Sequence, residues 1–166
     1  RRMTARKVIF DTDPGIDDAC ALVLIAASPA LELVGTDAAM LVSGEESLDE
    51  LSIAGPSRVV RIGRCIAGED SVTPEEAGLP RHGLGAIRGG DAAFNAAALR
   101  RLLDGEESAY RDAVLLNAAT GLTAWDTEAQ GPLADRLAAN MARAAESLDS
   151  GAARDVLDRW VAFSRS

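Results

Sequence analysis

The sequence predicts an α/β protein with a small mixed sheet, made of an N-terminal βαβ-like unit and an antiparallel β portion, followed by a helical C-terminal half. Short apolar runs separated by Gly and Pro fill the first half of the chain, whereas apolar stripes at helical spacing fill the second half. The 166 residues are 48% hydrophobic and 26% charged, which is ordinary for a globular protein that buries its own core. We therefore expect one domain, or one domain with an appendage.

The predicted strands are short and come in two groups. Residues 7–10 and 31–35 are apolar runs on either side of a helix predicted at residues 16–27, and this order indicates a βαβ unit. Turns separate the later strands closely, which favours antiparallel pairing. These later strands are expected at residues 39–42, 51–53, 58–62 and within 64–72.

Helix start and stop signals dominate the second half of the chain. Thr73 and Glu76 have the spacing of a capping box, so we expect a helix to begin there. Asp91 is a favourable N-cap for a helix that ends before Gly105. Three more helices are expected, at residues 109–125, from Pro132 and after Gly151.

Apolar stripes on these helices predict which side chains enter the core. The stripe of the helix after Pro132 runs from Leu133 to Leu148 at near-helical spacing. On the last helix the residues expected to point inward are Val156, Leu157, Trp160 and Phe163, and Trp125 is expected in the core as well.

The charge balance excludes some classes of partner. Acidic residues outnumber basic ones by 26 to 17, which gives a net charge of −9. This charge repels nucleic acid and anionic membranes, so we expect neither as a partner. The longest apolar run, residues 19–27, is shorter than the ~20 residues that span a bilayer. Cys20 and Cys65 are expected to be buried free thiols, which fits a reducing, cytoplasmic location.

Four carboxylates lie close together after the first predicted strand, in the sequence Asp-Thr-Asp-Pro-Gly-Ile-Asp-Asp at positions 11–18. The carboxyl ends of strands are where open α/β sheets bind ligands. Hard oxygen ligands of this kind suit Ca²⁺ or Mg²⁺. The alternative is that these aspartates only stabilise the N-terminal end of the following helix.

Residues 7–35, which include this motif, resemble the start of the nucleoside hydrolases. The resemblance implies a Ca²⁺ site with Asp13 and Asp18 as ligands. It also implies that Asp13 helps to activate the attacking water, that Asp17 holds a ribose hydroxyl and that Asp11 supports the site. The family's later metal ligand and base-binding residues have no counterpart in the rest of this sequence.

Residues 41–164 resemble the C-terminal portion of anthranilate phosphoribosyltransferase. Matching segments follow that family's order and spacing at residues 47–62, 71–80, 88–106, 111–122 and 133–164. We therefore divide the chain into an Asp-rich segment, residues 1–40, and a phosphoribosyltransferase-like region, residues 41–166. The family uses Mg²⁺ to transfer a phosphoribosyl group from phosphoribosyl pyrophosphate to anthranilate, in tryptophan biosynthesis. The resemblance implies that Asp49 and Glu50 bind the Mg²⁺ that neutralises the leaving pyrophosphate.

The sequence departs from this family's pattern at several points. Ser43 stands where the family has His before Gly44, and Ser47 stands where it has Gly before Leu48. Residues 1–40 hold no counterpart of the family's N-terminal helical domain, its Gly-rich pyrophosphate turn or its anthranilate-binding residues. We therefore expect the sequence as it stands to be incomplete for catalysis.

Three functions are open at this point. They are a Mg²⁺-dependent phosphoribosyltransferase by resemblance, a Ca²⁺-dependent nucleoside hydrolase through Asp13, and a non-catalytic composite or structural module. The ligand expected for the first two is a small ribose or phosphoribosyl compound, and the sequence leaves the oligomeric state open. The other polar candidates are assigned to structure: His82 to a solvated loop, and Asn95 and Asn117 to hydrogen bonds that support packing.

Overall fold

The structure is a computed structural model and describes residues 38–45, 48–63, 68–126 and 129–165. The predicted βαβ unit, its aspartates and both cysteines lie outside the described residues. The elements, in chain order, are β1 (Ala38–Gly44), β2 (Ser57–Gly63), β3 (Gly68–Val72), a 3₁₀ helix (Leu84–Ile87), α1 (Ala92–Leu103), α2 (Ala109–Trp125), α3 (Leu133–Asp149) and α4 (Ala152–Ser164).

The three described strands form an antiparallel sheet in the order β1-β2-β3. In the central strand, Val59 lies opposite Val42 of β1 and Asp70 of β3. Arg61 of β2 and Asp70 of β3 form a salt bridge of 2.7 Å across these two strands. The α/β class is therefore confirmed, together with the strands predicted at residues 39–42 and 58–62.

The strand predicted at residues 51–53 is wrong, although Leu51 and Ile53 are buried as a strand would bury them. The backbone of this segment bonds to side chains and to another loop rather than to a neighbouring strand. The Ser52 amide donates to Ser57 Oγ at 2.8 Å, and the Ile53 carbonyl accepts from the His82 amide at 2.8 Å. Because these backbone groups are already satisfied, the segment needs no strand partner.

The helix predicted at the capping box is also wrong, although the box itself forms. The Thr73 amide donates to Glu76 Oε2 at 2.8 Å, and the Glu76 amide donates to Thr73 Oγ1 at 3.3 Å. A single turn follows and ends at Gly78, whose φ of 88° lies in the left-handed region. The Leu79 amide then donates back to the Pro74 carbonyl at 2.8 Å, which closes the turn before a helix can extend.

The core lies between the sheet and the two longest helices, α2 and α3, which pack against each other. The predicted stripe of α3 is confirmed, since its first four members are buried and Leu148 is partly buried against them. Asn140 of α3 donates to Thr123 Oγ1 of α2 at 3.0 Å, so the contact contains a buried polar bond as well. The buried apolar cluster consists of Leu51, Ile53, Val59, Val72, Ala77, Ala109, Leu115, Leu116, Ala119, Leu133, Leu137, Met141 and Ala144.

The last helix presents three of its four predicted inward side chains to solvent, which contradicts the prediction for them, whereas Leu157 is partly buried. Val156, Trp160 and Phe163 are exposed, Trp160 to 70%, and Trp125 at the end of α2 is 84% exposed. The physical reason is that α4 packs mainly against α3, which leaves these three side chains on its exposed face. Within the described residues, no helix is both long and apolar enough to cross a membrane.

Candidate functional site

Asp49 and Glu50 lie in a bend that follows β1. Two backbone hydrogen bonds draw this turn together, from the Gly44 amide to the Leu48 carbonyl at 3.0 Å and from the Glu45 amide to the Pro56 carbonyl at 3.2 Å. Asp49 is exposed and Glu50 is half-buried. The turn therefore presents two adjacent carboxylates, one in solvent and one against the protein.

Glu50 lines a cleft of about 460 Å³ between the bend and α2. Burial, and after it the negative charge of Asp49, raises the pKa of the Glu50 carboxyl. A bound cation would offset both effects, because it replaces lost hydration and neutralises the neighbouring charge. The remaining lining residues of the cleft are Ile87, Tyr110, Ala113, Val114, Asn117 and Ala118.

Asn117 connects the acidic bend, the bend formed by Asp49 and Glu50, to α2 through hydrogen bonds. Its Oδ1 accepts from the Leu51 amide at 2.8 Å, and its Nδ2 donates to the Leu51 carbonyl at 3.1 Å. The same Nδ2 donates to the Ala113 carbonyl at 3.0 Å, one turn earlier in α2. The prediction that Asn117 makes packing hydrogen bonds is confirmed, but the sequence offers no sign that its partner is the residue after Glu50.

Gly44 allows the bend to fold back closely on the end of β1. A Cβ atom at this position would lie 3.1 Å from Ser52 Cβ, 3.2 Å from Leu48 Cβ and 3.4 Å from the Glu50 carbonyl oxygen. The two carbon separations are tighter than ordinary contacts, so a larger residue would push against the bend. Glycine at this position therefore matters for its small size rather than for an unusual φ.

His82 is not the solvated loop residue that the sequence predicts. Its Nε2 lies 2.7 Å from Asp112 Oδ2 in the first turn of α2, and both side chains are partly buried. Its backbone amide donates a hydrogen bond to the Ile53 carbonyl, as described above. Nearby, the Tyr110 hydroxyl donates to the Arg88 carbonyl at 2.6 Å. The loop before α1 is thus fastened to α2, the helix that also holds the acidic bend.

The donor set of the bend suits Mg²⁺. This ion is commonly held by one or two carboxylates, with waters and substrate phosphates completing its octahedron. Asp49 and Glu50 supply two such carboxylates, and that of Asp49 faces solvent. Among the described residues no group of three or more His, Cys, Asp or Glu could hold a metal ion by itself. The predicted Ca²⁺ ligands Asp13 and Asp18, and the predicted ribose ligand Asp17, lie outside the described residues.

A family profile and two groups of known proteins match this chain. The profile for "Glycosyl transferase family, a/b domain" matches residues 19–154, which include the acidic bend and α1 to α3. The anthranilate phosphoribosyltransferase of Arthrobacter sp. (strain FB24) is 48% identical over 122 residues, which are 74% of this chain and 35% of that protein. These matches give no support to the resemblance to nucleoside hydrolases.

Solved structures of the same kind of protein share the fold. The crystal structure of anthranilate phosphoribosyltransferase from Thermus thermophilus has a TM-score of 0.63 at 40% identity, over 78% of this chain and 36% of that one. The Saccharomyces cerevisiae enzyme in complex with PRPP and Mg has a TM-score of 0.62 at 24% identity, over 72% of this chain and 33% of that one. The chain thus spans about a third of the length of these relatives.

Proposed function

The chain belongs to the glycosyl transferase family through its a/b domain, and on this premise we propose that it takes part in a phosphoribosyl transfer. In the proposed reaction the group passes from phosphoribosyl pyrophosphate to anthranilate, in tryptophan biosynthesis. The observation that supports this function best is the pair of adjacent carboxylates, Asp49 and Glu50, inside the matched residues. The relatives named above have this activity by name, and the yeast structure holds PRPP together with Mg.

In the proposed function Asp49 and Glu50 hold Mg²⁺, which supplies positive charge to the pyrophosphate as it leaves. Such a cation would also offset the repulsion between the phosphates and the chain's net charge of −9. Glu50, half-buried at the cleft, fixes where the charge is held, while exposed Asp49 remains open to solvent and ligand. The role of these residues is therefore to bind and orient the pyrophosphate end of the substrate.

The test is the binding of phosphoribosyl pyrophosphate by calorimetry, with and without Mg²⁺, to the parent chain and to the double variant Asp49→Asn/Glu50→Gln. We expect binding by the parent only with Mg²⁺, and a loss of at least about tenfold in the double variant. The control is Glu106→Gln/Glu107→Gln, which neutralises a second pair of adjacent acids, both exposed, between α1 and α2. Equal binding by the Asp49/Glu50 variant and the control would reject the proposed site.

The N-terminal aspartates support a second, separate proposal, a Ca²⁺-dependent nucleoside hydrolase activity. If Asp13 activates water and Asp17 holds a ribose hydroxyl, as the motif at positions 11–18 suggests, the chain releases free ribose from nucleosides in the presence of Ca²⁺. Asp13→Ala would abolish that release, whereas Asp49→Asn would leave it unchanged. No release by the parent chain would reject this activity without affecting the transferase proposal.

A further inference from the structure

The acidic bend has no secondary structure of its own to hold it. Asp49 and Glu50 belong to neither strand nor helix, and the segment after them has no strand partner among the described residues. A metal site gains affinity when its ligands are held in place by neighbouring groups before the ion binds. The contacts that hold Glu50 therefore bear on the affinity of the proposed site.

Asn117 contacts the peptide unit that begins at Glu50. The Leu51 amide, which donates to Asn117 Oδ1, belongs to the same plane as the Glu50 carbonyl and is attached through it to the Glu50 Cα. Gly44 approaches the same unit, with its Cβ position 3.4 Å from the Glu50 carbonyl oxygen. The peptide plane between Glu50 and Leu51 is thus held by a hydrogen bond to Asn117. The close approach of Gly44 limits how far this plane can move.

The support behind Asn117 is rigid. Its Nδ2 is shared with the Ala113 carbonyl of α2, so the amide group cannot rotate without breaking bonds on two sides. The helix that bears it is anchored by Leu116 and Ala119, which are fully buried in the core. The bend is therefore connected through one amide side chain to a helix that is itself held by the core.

We propose that Asn117 is a positioning residue for the Asp49–Glu50 carboxylates, and that its bond to the Leu51 amide sets the orientation in which Glu50 meets a divalent cation. This inference rests on the proposed function, because it assumes that the two carboxylates bind Mg²⁺. Asn117 also lines the cleft that Glu50 lines, so the residue that orients the carboxylate lies beside the space that a ligand would occupy.

Asn95 provides a matched control within the same chain. Its Oδ1 accepts from the Gly90 amide at 2.9 Å and its Nδ2 donates to the Gly90 carbonyl at 3.0 Å, which is the same two-bond arrangement on a backbone. This second arrangement is exposed and lies at the start of α1, outside the lining of the cleft. Removing it tests the loss of an equivalent clamp without touching the acidic bend.

The experiment compares Asn117→Ala, Asn117→Asp and Asn95→Ala with the parent chain. Two quantities are measured in each: the affinity for Mg²⁺ by calorimetry with magnesium chloride, and the hydrogen exchange of the Leu51 amide by NMR without metal. We expect Asn117→Ala to speed the Leu51 exchange and to weaken Mg²⁺ binding about tenfold, the range for groups that orient metal ligands. Asn95→Ala should change neither quantity.

Asn117→Asp keeps the acceptor for the Leu51 amide but loses the donor to the Leu51 and Ala113 carbonyls, so it tests the amide bond by itself, also if Asn117→Ala fails to fold. It should keep that amide protected and keep Mg²⁺ affinity at or above the parent value. Unchanged affinity in a folded Asn117→Ala with rapid Leu51 exchange would overturn the positioning role alone, as would a tenfold loss in Asn117→Asp with a protected amide. No Mg²⁺ binding by the parent would overturn the proposed function first, and this role with it.

Discussion

Arg136 illustrates how a single side chain can complete two elements. It is buried on α3, and its Nη2 donates to the carbonyl oxygens of Thr123 and Asp126, at 3.0 Å each. These carbonyls lie at the C-terminal end of α2, where backbone acceptors lack partners within the helix and positive charge is favoured. The guanidinium therefore caps the end of α2 and joins α2 to α3 at the same time.

Replacing Arg136 should be costly. Arg136→Met keeps most of the buried volume but removes two charge-assisted bonds, so we expect a loss of about 3 kcal/mol in the free energy of unfolding. Arg143→Met is the control on the same helix, because Arg143 is exposed and donates to Asn140. That variant should lose less than about 1 kcal/mol. Urea unfolding of both variants is the measurement, and equal losses would contradict the argument.

The pKa of Glu50 should reflect the surroundings of its carboxyl group. Burial first, and the Asp49 charge second, place the pKa of Glu50 above its usual range. Because the folded value is the higher one, the stability contributed by protonated Glu50 is complete below the unfolded pKa and is lost as pH rises through the folded pKa. Asp49→Asn removes the smaller cause, so the pKa of Glu50 should fall only part of the way in a ¹³C NMR titration. A complete return to the usual value would mean that charge, and not burial, dominates.

The candidate site is predictable from the sequence only in part. Asp49 and Glu50 can be proposed from the sequence because adjacent acids in a family-like segment form a local pattern. The sequence assigns Asn117 to packing alone, because its contact with Leu51 spans 66 residues and no local pattern encodes it. The pairing of His82 with Asp112, 30 residues apart, escapes sequence reasoning for the same reason.

At the scale of the elements, the same substitution should have opposite effects at two glycines. Gly44→Ala places a Cβ against Ser52 and Leu48 in the turn beside β1, so we expect the acidic bend to shift and stability to fall by about 1 kcal/mol. Gly121→Ala lies inside α2, where a Cβ meets nothing within 4 Å, and should gain about 0.5–1 kcal/mol from helix propensity. Thermal unfolding of the two variants measures both changes in stability. A gain in stability for Gly44→Ala would show that the turn can accommodate a Cβ atom at this position.

Elements with local end signals are predictable, and elements defined by distant partners are not. Asp91 caps α1 through a 2.8 Å bond to the Phe94 amide, as its position in the sequence indicates. Thr73 and Glu76 form an equally good box, yet Gly78 and Pro80 follow too soon for a helix. Residues 51–53, with Leu51 and Ile53 alternating around Ser52, resemble a strand until the side chains of Ser57 and Asn117 are known to bond to their backbone.

At the scale of the whole molecule, stability should depend on the α2–α3 core and hardly at all on α4. Leu137 is fully buried at 0% exposure, so Leu137→Ala should cost about 2–5 kcal/mol through lost burial and the cavity left behind. Trp160→Ala removes a larger side chain that is 70% exposed, and should cost less than about 1 kcal/mol. Chemical denaturation compares the two, and a larger loss at Trp160 would mean that its exposed surface is covered in the folded protein.

The exposed positions of Trp125 and Trp160, the two tryptophans of the chain, have an optical consequence. Indole emission depends on contact with water, and both rings already meet water in the folded state. A fluorescence melt should therefore be nearly silent where circular dichroism records the loss of the helices. A molecule that bound over the outer side of α4 would shift the emission of Trp160 to the blue. Tryptophan fluorescence of the unmodified chain would therefore report binding at that surface.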